Sequence, residues 1–319
     1  MRIPEYLSPT SLAMWKQDQE MFYLQYLAEK RPPREAQTQP MAVGAAFDAY
    51  VKSYLYNKIL PGGPLTDRFQ FVKIFEEQVE VQNRSWALDA GWEVMELYKK
   101  SGALADLVFE LERGRSEPRF EFVVRAVVGD VPLLGKPDVW YVNVEGQPII
   151  LDWKVNGYCG QGRSPSKGYV RLRGPSGSLG QSHKDALIYK EHGVLVNSAH
   201  PLEAVDESWA TQISTYAWLC GANVGDNFIV AIDQIYRNTK GELCVAEHRT
   251  RVGAEFQRIT LNNYQRLWDI VQSKYIFRGM NEEDSKKRQM MLDEVYTAYN
   301  DGDLIEFVKS MKHHETPKN

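Results

Sequence analysis

The strongest constraint lies between Arg119 and Val155, where apolar residues stop recurring at helical spacing and begin to alternate. Phe120, Phe122, Val124, Ala126 and Val128 alternate with polar or charged neighbours. Two further runs, about Leu133–Val142 and Pro148–Val155, flank a short turn containing Asn143, Glu145 and Gly146. Period-two alternation marks half-buried strands, so the spacing predicts a three-strand antiparallel meander. Strand side chains point to opposite faces in turn. Ile150, Asp152 and Lys154 therefore share one face, and Ile149, Leu151, Trp153 and Val155 the other. A turn at residues 144–146 sets Asp138 opposite Asp152 on the same face. Two carboxylates and a lysine then meet within about 5–8 Å.

That trio has a chemical use and an ordinary alternative. Adjacent carboxylates repel unless a cation lies between them. Oxygen ligands suit Mg²⁺ (or Mn²⁺), which binds through one or two carboxylates plus a phosphate and can polarise that phosphate or acidify a water. Lys154 would orient the water or neutralise charge developing on phosphorus. The alternative is a surface Asp-x-Lys ion pair without a role.

Helices surround the hairpin. Ser8-Pro9 reads as an N-cap followed by proline at the first helical position. Leu12, Trp15, Phe22, Tyr23, Tyr26 and Leu27 then recur at helical spacing to about Glu29. A second helix is predicted from about Met41 to Lys58, stopped by Pro61-Gly62-Gly63-Pro64. Residues 66–112 read as mostly helical. A helix at about Trp209–Gly221, strands at Asn227–Arg237 and Glu242–Arg251, and two or three helices over Ala254–Met311 follow.

Gly135-Lys136-Pro137-Asp138, followed after the hairpin by Asp152-Trp153-Lys154, resembles the motif core of the PD-(D/E)XK nuclease superfamily. Gln212 and Tyr216, four residues apart on one predicted helix, resemble the Gln-x-x-x-Tyr helix of its RecB-like branch. Ser8-Pro9-Thr10-Ser11-Leu12 is similar to the start of that branch's helical N-terminal region, so the matches run in family order from residue 8 to 216. The resemblance implies a metal-dependent deoxyribonuclease, an exonuclease or end-processing enzyme of recombination, repair or phage DNA metabolism. Asp138, Asp152 and Lys154 would be catalytic, Asp138 and Asp152 would hold Mg²⁺ or Mn²⁺, and Gln212 and Tyr216 would position DNA. Where the branch often has Gly-x-x-x-His, the sequence reads Gly44-Ala45-Ala46-Phe47-Asp48. Asp48 is therefore either a further metal ligand or a solvated helix residue. The cysteines that hold an iron–sulfur cluster in some relatives are missing, and no cluster is expected.

Residues 157–184 hold seven glycines and five cations (Arg163, Lys167, Arg171, Arg173 and Lys184) with no acidic residue. The segment is either a solvated insertion or, with Tyr158 and Tyr169, a DNA-contacting loop. Basic surface must be local in any case, because the formal net charge is −4. Cys159, Cys220 and Cys244 form no CxxC pair, and no P-loop pattern occurs. No run approaches the roughly 18–20 apolar residues of a membrane helix, and no apolar signal segment follows Met1. The expectation is a cytoplasmic protein of a bacterial or phage-infected cell, with protein partners in recombination or replication.

The fold expected is α/β: a central mixed β-sheet flanked by helices, similar to a restriction-endonuclease core, with an N-terminal helical cap and C-terminal helices. The regions would be 1–112 (helical, carrying the first core helix), 113–252 (the nuclease core with the 157–184 insertion) and 253–319 (helical). Two other readings stay open: a non-catalytic DNA-binding or assembly protein on the same fold, and a restriction-type endonuclease.

Overall fold

The computed structural model describes residues 2–32, 35–160, 162–177, 180–273, 277 and 280–298. Helices α1 (Pro9–Gln17), α2 (Gln19–Phe22), α3 (Gln39–Ile59), α4 (Phe71–Gln78), α5 (Arg84–Lys100) and α6 (Ala103–Glu112) come first. Strands β1 (Arg119–Phe120), β2 (Val124–Val128), β3 (Val131–Gly135), β4 (Val139–Val142), β5 (Pro148–Asn156), β6 (Arg171–Arg173), β7 (Ile188–Glu191) and β8 (Val194–Asn197) follow. The chain continues with α7 (Leu202–Val205), α8 (Glu207–Leu219), β9 (Ile229–Arg237), β10 (Leu243–Arg251), α9 (Ala254–Ser273) and α10 (Glu282–Ala298). No described helix is long and apolar enough to cross a membrane.

Two compact units are interleaved along the chain, one from Ala36–Val124 with Gly135–Arg258, the other from the described parts of 1–35, 125–134 and 259–319. The first is built on a six-stranded mixed sheet of order β1-β4-β5-β9-β10-β6, the α/β architecture expected. Among the described residues β5 pairs with β9 in parallel, and the other neighbours in this sheet run antiparallel. Alternation sorts the core as predicted. Ile149, Leu151 and Trp153 of β5 join Ile229, Ala231 and Ile235 of β9 against α3 and α5. On the other face, Ile150, Val230 and Ile232 pack under Trp209, Ile213 and Tyr216 of α8. Each large aliphatic side chain buried this way contributes roughly 1.5–3 kcal/mol.

The second unit has its own local order. Leu7 joins the β3 backbone, accepting from Leu134 and donating to Pro132 O, both at 2.8 Å. Ser8 caps α1 through a reciprocal box with Ser11. The single helix predicted to Glu29 breaks at Asp18, whose carboxylate starts α2 by accepting from the Glu20 and Met21 amides.

The predicted meander also divides. Glu121 takes a left-handed backbone conformation (φ 42°) directly after β1, and β2 pairs only with β3 in a separate two-stranded sheet. Pro137, which has no N–H to donate, falls between β3 and β4. The 157–184 segment is not merely a loop, since β6 extends the main sheet along β10. The β7–β8 hairpin was not foreseen, and helices predicted beyond Ala298 lie outside the described residues.

The crossing of α3 and α5 depends on Gly91. A Cβ there would lie 2.5 Å from Ala46 Cβ and 2.9 Å from the Ala46 carbonyl carbon. Gly91→Ala is therefore expected to cost about 1–3 kcal/mol by overpacking, measured by urea denaturation. An unchanged midpoint would mean the helices separate freely.

Candidate active site

Four elements of the larger unit converge at the C-terminal end of β5. Register fixes the first contact: Val139 pairs with Leu151 and Trp140 with Ile150, so Asp138, one residue before β4, comes level with Asp152. Asp138 Oδ2 accepts the Trp153 amide at 3.3 Å. Trp153 is fixed from behind, its Nε1 donating to the Tyr98 hydroxyl at 3.2 Å and its ring meeting Phe47 edge-on. The Asp capping α8 is Asp206, which accepts from the Ser208 and Trp209 amides and so starts the helix that carries Gln212 and Tyr216. Gly135 lets α8 approach, because a Cβ there would lie 2.7 Å from both Tyr216 and Leu219.

Asp152 is 3% exposed. Its Oδ2 lies 2.6 Å from Lys154 Nζ but has no aligned hydrogen-bond partner. Lys154 Nζ donates to Gln212 Oε1 at 2.6 Å, and Gln212 Nε2 donates to the Tyr216 hydroxyl at 2.9 Å. These residues, with Asp138 and Asp48, line an open cleft of about 370 Å³.

Asp48, on α3, is engaged by a lysine of the same helix. Lys52 Nζ, one helical turn on, donates to Asp48 Oδ2 at 2.6 Å and to Asp138 Oδ1 at 2.8 Å, and lies 3.4 Å from Glu121 Oε2. Asp48 is thus a lysine's partner, joined to Asp138 through the Lys52 ammonium. Among the described residues no set of three or more His, Cys, Asp or Glu side chains could hold a metal ion by itself. The two adjacent carboxylates Asp138 and Asp152, both lining the open cleft, still fit a hard cation that completes its shell with water and phosphate.

Lys52, Glu121, Lys136 and Gln78 were not foreseen as site residues. Glu121 Oε1 pairs with Lys136 and accepts from Gln78 Nε2 at 2.9 Å. An Asp48–Lys52 pair four residues apart on one helix was the available signal for Lys52.

The basic segment divides. Arg163 and Lys167 are exposed and have no ion-pair partner among the described residues. Arg173 is 4% exposed, donating to Glu247 Oε1 at 2.8 Å and Ser101 O at 3.1 Å and pairing with Asp106. Arg171 pairs with Asp106 at 2.9 Å and Glu247 at 3.6 Å. Arg171 and Arg173, expected from the sequence as DNA contacts, are thus paired with carboxylates of α6 and β10. Tyr158 is likewise engaged with Glu93, and Tyr169 packs edge-on against His183 and His248.

No family model matches the chain, and no curated protein matches it significantly. Among solved structures, a "Putative exonuclease" from Eubacterium rectale aligns over 85% of this chain and 82% of its own, at 12% identity and a TM-score of 0.44. A protein designated SSO0001 aligns over 80% and 85%, at 11% identity and a TM-score of 0.23. Both likenesses are distant.

Burial pushes the Asp152 carboxyl up to about 6, with Lys154 opposing and Asp138 adding. Burial likewise pushes Asp48 up to about 7, Lys52 opposing and Asp138 and Glu121 adding. Burial would raise Asp138 too, but Lys52, Lys154 and the Trp153 amide hold it below the ordinary range. For Lys52, burial works to lower the ammonium's pKa, and Asp138, Asp48 and Glu121 more than reverse it. A carboxyl raised in the folded state contributes stability that is full below its unfolded value and is lost as pH rises through the folded one. Metal-free protein should therefore lose stability through Asp48 between about pH 4 and about pH 7. In EDTA, the melting temperature of Asp48→Asn relative to the parent is expected to rise from pH 5 to 8; a constant difference would contradict the shift.

Proposed function

We propose that the protein is a divalent-metal-dependent deoxyribonuclease acting at DNA ends, with Asp138, Asp152 and Lys154 as its reacting centre. The observation that carries this reading is the buried carboxylate of Asp152, set beside Asp138 and ion-paired with Lys154 at 2.6 Å in an open cleft. Asp138 and Asp152 would hold Mg²⁺ or Mn²⁺, which when bound supplies charge neutralisation at the scissile phosphate and acidifies a water. Lys154 faces the position where negative charge grows on the phosphoryl oxygens and is held there by Gln212. Tyr216, under Gln212, fixes that amide's orientation. Arg163 and Lys167, exposed and without an ion-pair partner among the described residues, would meet the DNA backbone as a local basic surface on an acidic protein. The preference for ends over internal sites follows from the resemblance to the RecB-like motif order.

Labelled linear and covalently closed circular DNA, incubated with Mg²⁺ or Mn²⁺, test the reading. Degradation of the linear form alone is expected, and discrete fragments from circles would mark an endonuclease. Lys154→Ala should lower the rate by about 10²–10³-fold, and Asp152→Asn at least as much, with DNA retention kept. Equal metal-independent binding without cleavage in all three proteins would leave a non-catalytic DNA-binding role instead.

A further inference from the structure

Lys52 is 2% exposed and stands where a metal-rich carboxylate cluster would place a cation. Three carboxylates from separate parts of the chain surround its ammonium: Asp48 at 2.6 Å, Asp138 at 2.8 Å and Glu121 at 3.4 Å. Glu121 is brought there by a left-handed backbone turn, a strained conformation for a non-glycine residue. Lys52 also takes Asp138 Oδ1, leaving Oδ2, which accepts the Trp153 amide, as that carboxylate's oxygen on the Asp152 side.

We propose that the Lys52 ammonium is a built-in substitute for a second divalent cation, so that the centre takes one ion, at Asp138 and Asp152, and not two. Charge supports this. Asp48, Glu121, Asp138 and Asp152 face Lys52, Lys136 and Lys154, one formal negative charge in excess. A single divalent ion turns that excess positive, as an anionic phosphate requires, and a second would add charge the carboxylates could not balance. Geometry supports it independently. Lys52 occupies the space between Asp48 and Asp138, whereas Asp152, paired with Lys154, is not among its partners. Lys52 acts through Asp138 and is a positioning residue in this account.

The inference rests on the metal-dependent hydrolase reading, and Mn²⁺ stoichiometry separates the two. Full-length protein is titrated with Mn²⁺ by calorimetry, with free ion counted by electron paramagnetic resonance, and melting is recorded in EDTA and in Mn²⁺. The parent and Lys52→Arg, which keeps the fixed charge, should each bind one ion. Lys52→Met should bind two, melt lower than the parent in EDTA and recover in Mn²⁺, as the ion replaces the lost ammonium. Two ions on the parent, or one on Lys52→Met with unchanged melting in EDTA, would overturn the role of Lys52 and leave the hydrolase reading standing. No ion on the parent would overturn both. If Lys52→Met does not fold, the parent stoichiometry decides: one supports the proposal and two overturns it.

Discussion

Withdrawing an ammonium from water costs several kcal/mol unless carboxylates surround it. Lys52 is sustained in the protein interior by Asp48, Asp138 and Glu121. Those partners come from α3, from the residue before β4 and from the bend after β1. Meeting at one ammonium ties the first core helix to the sheet margin and makes the position of Asp138 a consequence of helix packing as well as of strand register. Removing the lysine alone would leave three carboxylates uncompensated, and such one-sided deletions typically cost 3–5 kcal/mol.

The cleft inherits this arrangement. Asp138 is shared between Lys52 on one oxygen and the Trp153 amide on the other, and it is set beside Asp152 by the β4–β5 register. Asp152 and Lys154 then point toward α8, which approaches closely because Gly135 lacks a side chain. Strand alternation thus divides labour along β5. Trp153 anchors the strand to Tyr98 and Phe47, and its two neighbours face the cleft.

Much of this was legible in the sequence because it follows from short-range periodicity. A two-residue alternation and a turn at 144–146 suffice to set Asp138 against Asp152, and the four-residue spacing of Gln212 and Tyr216 suffices for their hydrogen bond. What escaped depended on distant partners. Arg171 and Arg173 read as free cations because Asp106 and Glu247, which neutralise them, lie about 65 to 75 positions away. Lys52 sits on a largely apolar helix, and two of its three carboxylate partners, Asp138 and Glu121, are distant in the chain. The meander divided because Glu121 and Pro137 interrupt strands whose alternation continues unbroken through them.

We propose that Asp138 and Asp152, beside Lys154, hold a single divalent ion. Anomalous diffraction from a crystal grown with Mn²⁺ addresses it most directly. The account predicts one peak in this cleft, within coordination distance of Asp152 Oδ2 and an Asp138 oxygen, with Lys52 still bridging Asp48 and Asp138. A peak between Asp48 and Asp138 with Lys52 displaced, or no peak in the cleft at saturating Mn²⁺, would contradict it.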